Sequence, residues 1–306
     1  MTRHEQQREA DLLERFPENP LITPASDDSI GTNINGPSVV RIPSFVQKPL
    51  AQYYMYFAHH SGQHIRLAYA DQPRGPWQIY RPGVLPLSQL EAISGFYGHI
   101  ASPDIYVNEE QNKIFMYFHA LHHDRPDQCS GIAVSEDGLN FRLYHQQPIN
   151  KFYMRLLPWK GLYFAISKND NISGRLSVCK TPYGPFEKVC DLIPNMRHAA
   201  WLVAHDQPYL LYTVVGECPE CISIVPLSLS VQPPYPCELG PSTIIARPHC
   251  GWEGLDYPLC PSRFGAQNDV NQLRDPFALQ DNGQDYLYYA YAGENGIAGA
   301  RLRAVL

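Results

Sequence analysis

Residues 64–80 read His64-Ile65-Arg66-Leu67-Ala68-Tyr69-Ala70-Asp71-Gln72-Pro73-Arg74-Gly75-Pro76-Trp77-Gln78-Ile79-Tyr80. This is a strand, a turn whose Pro and Gly set the backbone, and a second strand. The pattern returns as Arg175-Leu176-Ser177-Val178-Cys179, followed by Thr181-Pro182-Tyr183-Gly184-Pro185-Phe186. Chance likeness of two strand pairs does not reproduce a matched Gly-Pro-aromatic turn, so the chain is built from internal repeats. Ahead of each copy lies an aromatic-rich strand: Tyr53-Tyr54-Met55-Tyr56-Phe57 and Leu162-Tyr163-Phe164-Ala165-Ile166. Three more such strands are Ile114–Phe118, Tyr209–Tyr212 and Tyr286–Tyr289, which makes five repeats.

Each aromatic strand follows a first strand that opens on polar or small residues. These are Gly36-Pro37-Ser38, Ser102-Pro103-Asp104, Phe152-Tyr153-Met154-Arg155, Met196-Arg197-His198 and Arg274-Asp275-Pro276. Apolar residues alternate and do not recur at helical spacing. The sequence therefore predicts an all-β protein, a five-bladed β-propeller, whose innermost strands point their starts at one central pocket. Residues 33–306 form the propeller, with a long insertion near 232–273. Residues 1–32 form an N-terminal segment: a short helix over residues 1–14 and a strand that closes the ring by completing blade five.

Bulk properties exclude several function classes. The 306 residues carry 44% hydrophobic side chains and a net charge of -6, so the chain is neither disordered nor drawn to a phosphate backbone. Nucleic acid is not an expected partner. No apolar run approaches membrane-spanning length and Met1–Glu14 lacks the core of a signal peptide, so the expectation is a cytoplasmic protein without a membrane partner. The eight cysteines are then expected as free thiols. Cys218-Pro219-Glu220-Cys221 lacks the second ligand pair that a zinc site needs and is expected to be incidental.

The segments Tyr53–Tyr80, Ala101–Ile105, Arg274–Pro276 and Ala290–Leu302 resemble the five-bladed propeller glycosidases of glycoside hydrolase family 43 and its arabinanase, xylosidase and invertase relatives. That resemblance implies carboxylates at the centre, one protonated to help the leaving oxygen depart and one ionised. By it, Asp104 orients and tunes, and Asp275 holds sugar hydroxyls or supplies the base. Blade one departs from the family, because Asn35-Gly36-Pro37-Ser38 offers an amide where the family places Asp. An amide neither ionises nor accepts a proton usefully near neutral pH. Asp27 and Asp28 are candidate substitutes.

For the acid, Glu253 lies between Trp252 and Asp256, and an aromatic neighbour both raises a carboxyl pKa and stacks on a sugar ring. The competing reading of that stretch is a rim turn, and Glu294 reads as a solvated hairpin residue. Twelve histidines are many for this length. His60, His99, His119 and His198, with Arg41, Arg155, Arg197 and Arg274, are read as a polar ring that binds substrate and tolerates an anion. The expected ligand is a small carbohydrate or anionic molecule, with no cofactor; an axial ion such as calcium, held through His-bound water, is the alternative kept open. The function read from these residues is hydrolysis of a small glycoside or oligosaccharide. The rival is a propeller that has lost the family base, and that binds a sugar or anion or catalyses elimination or cyclisation.

Overall fold

A computed structural model describes residues 12–265 and 267–303. Strand β1 (Leu13–Arg15) opens the described chain. The helix expected over 1–14 falls mostly outside these residues, and Leu13 and Glu14 are strand. Blade one is β2 (Asn35–Arg41), β3 (Tyr53–Ala58), β4 (His64–Ala70) and β5 (Gln78–Pro86). Helix α1 (Leu87–Glu91) leads to blade two: β6 (Phe96–Asn108), β7 (Lys113–His122), β8 (Cys129–Ser135), with β9 (Arg142–Leu143) and β10 (Asn150–Lys151) both on β8. Blade three is β11 (Arg155–Trp159), β12 (Leu162–Asn169), β13 (Ser173–Cys179) and β14 (Glu187–Pro194).

Blade four is β15 (Met196–Ala204), β16 (Gln207–Val214) and β17 (Ile222–Leu229), with β18 (Cys237–Leu239) and β19 (Thr243–Ala246) on β17. Part of the stretch 232–273 is thus the outer edge of blade four. Blade five is β20 (Asn268–Asp281), β21 (Gln284–Gly293) and β22 (Gly296–Leu302). Its outermost strand is β1, which pairs antiparallel with β22 from Leu13↔Leu302 to Arg15↔Ala300. The five sheets are five blades, and the first described strand sits in the last of them.

The strands read as nearly continuous apolar runs because both faces of a blade are covered. On β3, Tyr54 and Tyr56 pack with Phe96, Met116 and Phe118 of blade two. The alternate residues Tyr53, Met55 and Phe57 pack with Tyr288 and Ile297 of blade five. Period-two alternation here separates two apolar neighbours, not core from solvent. The matched turns keep their glycines for a backbone reason: Gly75 and Gly184 have φ of 91° and 70°. That region suits residues without a Cβ.

One device recurs on the innermost strands. Pairing shifts by one residue between Asn35↔Ala58 and Ser38↔Tyr56, Ala101↔His119 and Asp104↔Tyr117, Met196↔Val214 and Ala199↔Tyr212, and Arg274↔Ala290 and Phe277↔Tyr288. Blade three shows the same step, since the Lys168 amide bonds the Phe152 carbonyl while Arg155 pairs with Ile166. Each bulge leaves two residues unpaired and re-aims the first. In four blades that first residue is left-handed: Gly36 (φ 60°), Ser102 (47°), Tyr153 (54°) and Asp275 (48°). Pro37, Pro103 and Pro276 follow three of them, where a missing N–H costs no ladder bond.

Candidate active site

The bulge of blade five sets Asp275 in a strained backbone position, a cost that clusters at functional sites. Its carboxylate is buried at 2% exposure, and Oδ1 lies 3.2 Å from His198 Nδ1. Burial, and then the charge of Glu294, push the Asp275 carboxyl up to about 7. Asp275 therefore holds its proton into the neutral range.

Glu294 occupies the turn between β21 and β22 and is also buried. Its Oε2 accepts from Asn33 Nδ2 at 2.6 Å and Asn35 Nδ2 at 3.0 Å, and its Oε1 accepts from Arg274 Nη1 at 3.0 Å. His60 Nδ1 stands 3.6 Å away. Burial alone would raise this carboxyl; hydrogen bonding from His60, the Arg274 charge and the Asn33 amide outweigh it and pull it down. Glu294 stays ionised beside a protonated Asp275.

Cations flank this pair. Arg197 Nε bonds both Glu220 oxygens at 2.8 and 3.0 Å, and its Nη2 donates to the Ser262 carbonyl at 2.5 Å. Arg274 adds Gln272 Oε1 at 2.9 Å and Ser262 Oγ. Lys168, at the end of β12, is 8% exposed, and its Nζ lies 5.7 Å from the ring centroids of Phe152 and Tyr153. Burial, then the Arg197 charge, lower it to about 8. A pocket of about 260 Å³ is lined by His60, Tyr153, Lys168, Arg197, His198 and Glu294, with Arg263 and Phe264 beside them. An aromatic row runs behind it: His99 to His119 at 5.4 Å, His119 to Tyr153 at 4.4 Å and Tyr153 to His198 at 4.6 Å between centroids. Burial drives His119 and His198 well below the usual imidazole range, so both are neutral.

Of the residues singled out in the sequence, Asp275, Arg274, His198, Arg197, His60 and Asn35 meet here, with His99 and His119 in the row behind. Asp104 and Arg155 pair with each other instead. Arg155 Nη1 is 3.3 Å from Asp104 Oδ1, and Asp104 Oδ2 accepts from the Leu156 amide at 2.9 Å, a buried strut between blades two and three. Arg41 lies at the far end of β2, bonded to Asp281 at 2.8 Å and to the Tyr53 hydroxyl at 2.7 Å.

Glu253 is fully buried, but its partners are Arg15 Nε at 2.7 Å, the Tyr289 hydroxyl at 2.6 Å and the His249 amide at 2.7 Å. It fastens the insertion to β1 and β21. Trp252 meets Tyr291 edge-on and Asp256 is exposed. Neither joins Asp275. Asp27 and Asp28 pair with exposed Arg81.

Glu294, Lys168 and Glu220 complete the site without a clear mark in the sequence. Glu294 is no solvated hairpin residue, because its turn is covered by the start of β2: the Ile34 amide donates to its carbonyl at 2.8 Å. Lys168 reads as an ordinary strand end. Glu220 lies inside the CxxC, and the parallel bridge Glu220↔Gln272 is what brings it beneath the two arginines. Among the described residues, no three or more His, Cys, Asp or Glu are grouped as metal ligands. No helix there is long and apolar enough to cross a membrane.

No family model matches the chain. The uncharacterized protein R118 of Acanthamoeba polyphaga mimivirus is 32% identical over an alignment of 326 positions, covering 94% of this chain and 89% of the relative. The chain belongs to the family of that protein. Among solved structures, a glycosyl hydrolase from Bacteroides ovatus superposes with a TM-score of 0.66 at 11% identity, over 94% of this chain and 92% of the other. The α-L-arabinanase of Cellvibrio cellulosa gives 0.57 at 15% identity, over 88% and 90%. A member of the GH130 family, described as mannoside phosphorylases that include glycoside hydrolases acting on β-1,2 mannosidic linkages, gives 0.64 at 11% identity, over 94% and 93%. The chain thus shares the five-bladed propeller fold of these solved structures.

Proposed function

We propose that the protein cleaves a glycosidic bond held in the axial pocket, with Asp275 as proton donor and Glu294 as the ionised carboxylate facing the charge that develops on the sugar ring. The observation that carries this reading is the opposed tuning of two buried carboxyl groups, Glu294 lining the pocket and Asp275 directly behind its His198 wall. Asp275 is pushed up to about 7 while Glu294 is pulled down. Carboxyl groups driven apart in this way divide into acid and anion. The glycosidases that share the fold support the substrate class. In this reading Asn35 is an orienting residue: its amide donates to Glu294, where an Asp would repel it.

Three strong donors on Glu294 hold it ionised and weaken it as a base. That saturation is the observation favouring the second reading, a propeller that binds a sugar or anion without hydrolysing it. The test is release of 4-nitrophenol from a panel of aryl glycosides, with arabino- and manno-oligosaccharides as natural counterparts. Asp275→Asn is expected to lower kcat by at least about a hundredfold, with a smaller loss on 2,4-dinitrophenyl glycosides, whose leaving group needs no proton. Unchanged turnover in Asp275→Asn and Glu294→Gln sinks the assignment. Calorimetric sugar binding without product selects the non-hydrolytic reading.

A further inference from the structure

Each buried arginine named around the axis has a partner: Arg197 has Glu220, Arg274 has Glu294, Arg155 has Asp104, and Arg66 donates to the Asn33 carbonyl at 2.9 Å. Lys168 differs. Its amide bonds the Phe152 carbonyl, but no hydrogen bond or ion pair reaches its ammonium among the described residues. The residue is more than nine-tenths buried and lines the axial pocket. The ammonium is open to the pocket and not sealed in the protein, and the two flanking rings only partly compensate its lost hydration.

We infer that Lys168 is an oxyanion receptor: the ligand of the axial pocket carries a carboxylate or phosphate group that docks on its ammonium. The inference rests on the reading of this pocket as the substrate site, but not on the chemistry assigned to Asp275 and Glu294. The local charge count agrees. With Asp275 protonated, three cations (Lys168, Arg197 and Arg274) face two anions (Glu220 and Glu294), leaving one positive charge for the ligand. Arg263 and Asp170, which also line the pocket, offset each other and leave that count unchanged. A neutral sugar would offer the ammonium only uncharged hydroxyl acceptors, whereas an acidic sugar or a free phosphate would add a counter-charge and stronger, charge-assisted hydrogen bonds.

The test is calorimetry of the full chain with inorganic phosphate, with glucuronate and with glucose, at constant ionic strength in chloride buffer. One of the two anions is expected to bind at least tenfold more tightly than glucose. Lys168→Ala should weaken that anion about ten- to hundredfold, and Lys168→Arg should restore part of it. Phosphate binding alone would identify a phosphate ligand, and glucuronate binding alone an acidic sugar. Equal affinity for glucose and both anions, or anion binding unchanged in Lys168→Ala, overturns the inference. If Lys168→Ala fails to fold, wild-type protein decides: phosphate or glucuronate should protect Lys168 from acetylation, read by mass spectrometry, and absence of protection by both overturns it. Asp275→Asn keeps the catalytic reading separate, because it should lose turnover and retain anion binding.

Discussion

At the scale of single residues, Asp275 and Asn35 make the sharpest claims. Asp275 has its folded carboxyl raised to about 7 from the ordinary aspartate value of 3.8. Between those values the folded state holds a proton that the unfolded state has released. Its contribution to stability is therefore full below the unfolded value and lost as pH rises through about 7. Melting temperature of the wild type should fall over that interval by more than that of Asp275→Asn, whose amide does not ionise. Equal slopes would remove the proton from Asp275. Asn35→Asp would set a second carboxylate 3.0 Å from Glu294. We expect it to destabilise the protein near neutral pH by a few kcal/mol, about the cost of an uncompensated buried charge, with recovery on acidification. Chemical denaturation at two pH values measures it.

At the scale of elements, the insertion and the bulged strands carry different loads. Glu253 ties residues 249–253 to Arg15 of β1 and Tyr289 of β21. Glu253→Ala should cost about 1–3 kcal/mol by removing the acceptor shared by Arg15, the Tyr289 hydroxyl and the His249 amide, while the folded fraction keeps its turnover number. Urea denaturation beside active-site-normalised kcat separates these outcomes, and a fall in kcat alone would return Glu253 to the chemistry. The strands themselves were legible in sequence because β-branched and aromatic residues in short runs, cut by Gly-Pro turns, have no good helical alternative. The recurring bulge was half legible. Its prolines mark blades one, two and five, but Tyr153-Met154 and Arg197-His198 carry no such sign. A bulge is a count between two strands, and one strand's sequence holds only half of it.

At the scale of the whole molecule, stability depends on closure. Each blade buries one face on each neighbour, so an open ring leaves two faces bare. Strand β1, the Phe16 amide bond to Gly299 at 3.0 Å and the bridge Ile22↔Ile297 join the start of the described chain to blade five. Deletion of residues 1–22 should lower the melting temperature by more than about 10 °C and broaden the transition in a calorimetric scan. A deletion that leaves a sharp, unshifted transition would show that the ring closes without them.

The sequence by itself determined the all-β character, the number of blades and the presence of Asp275, Arg274, His198 and Arg197 on innermost strands, although Arg274 and Asp275 lie mid-strand at a bulge and not at the strand's start. These follow from local alternation and turn chemistry, which neighbouring residues encode together. It pointed to Asp104 and Glu253 for the same reason, as acids near promising neighbours. Only the tertiary structure decided that those two are consumed by Arg155 and Arg15. It likewise decided that Glu294, from a turn beside blade one, is the second carboxyl group whose charge acts on Asp275, and that no hydrogen bond or ion pair reaches the Lys168 ammonium among the described residues. The physical reason is that a charge takes its pKa and its role from the groups across the axis. Those groups are brought there by ring closure, from blades far apart in the chain.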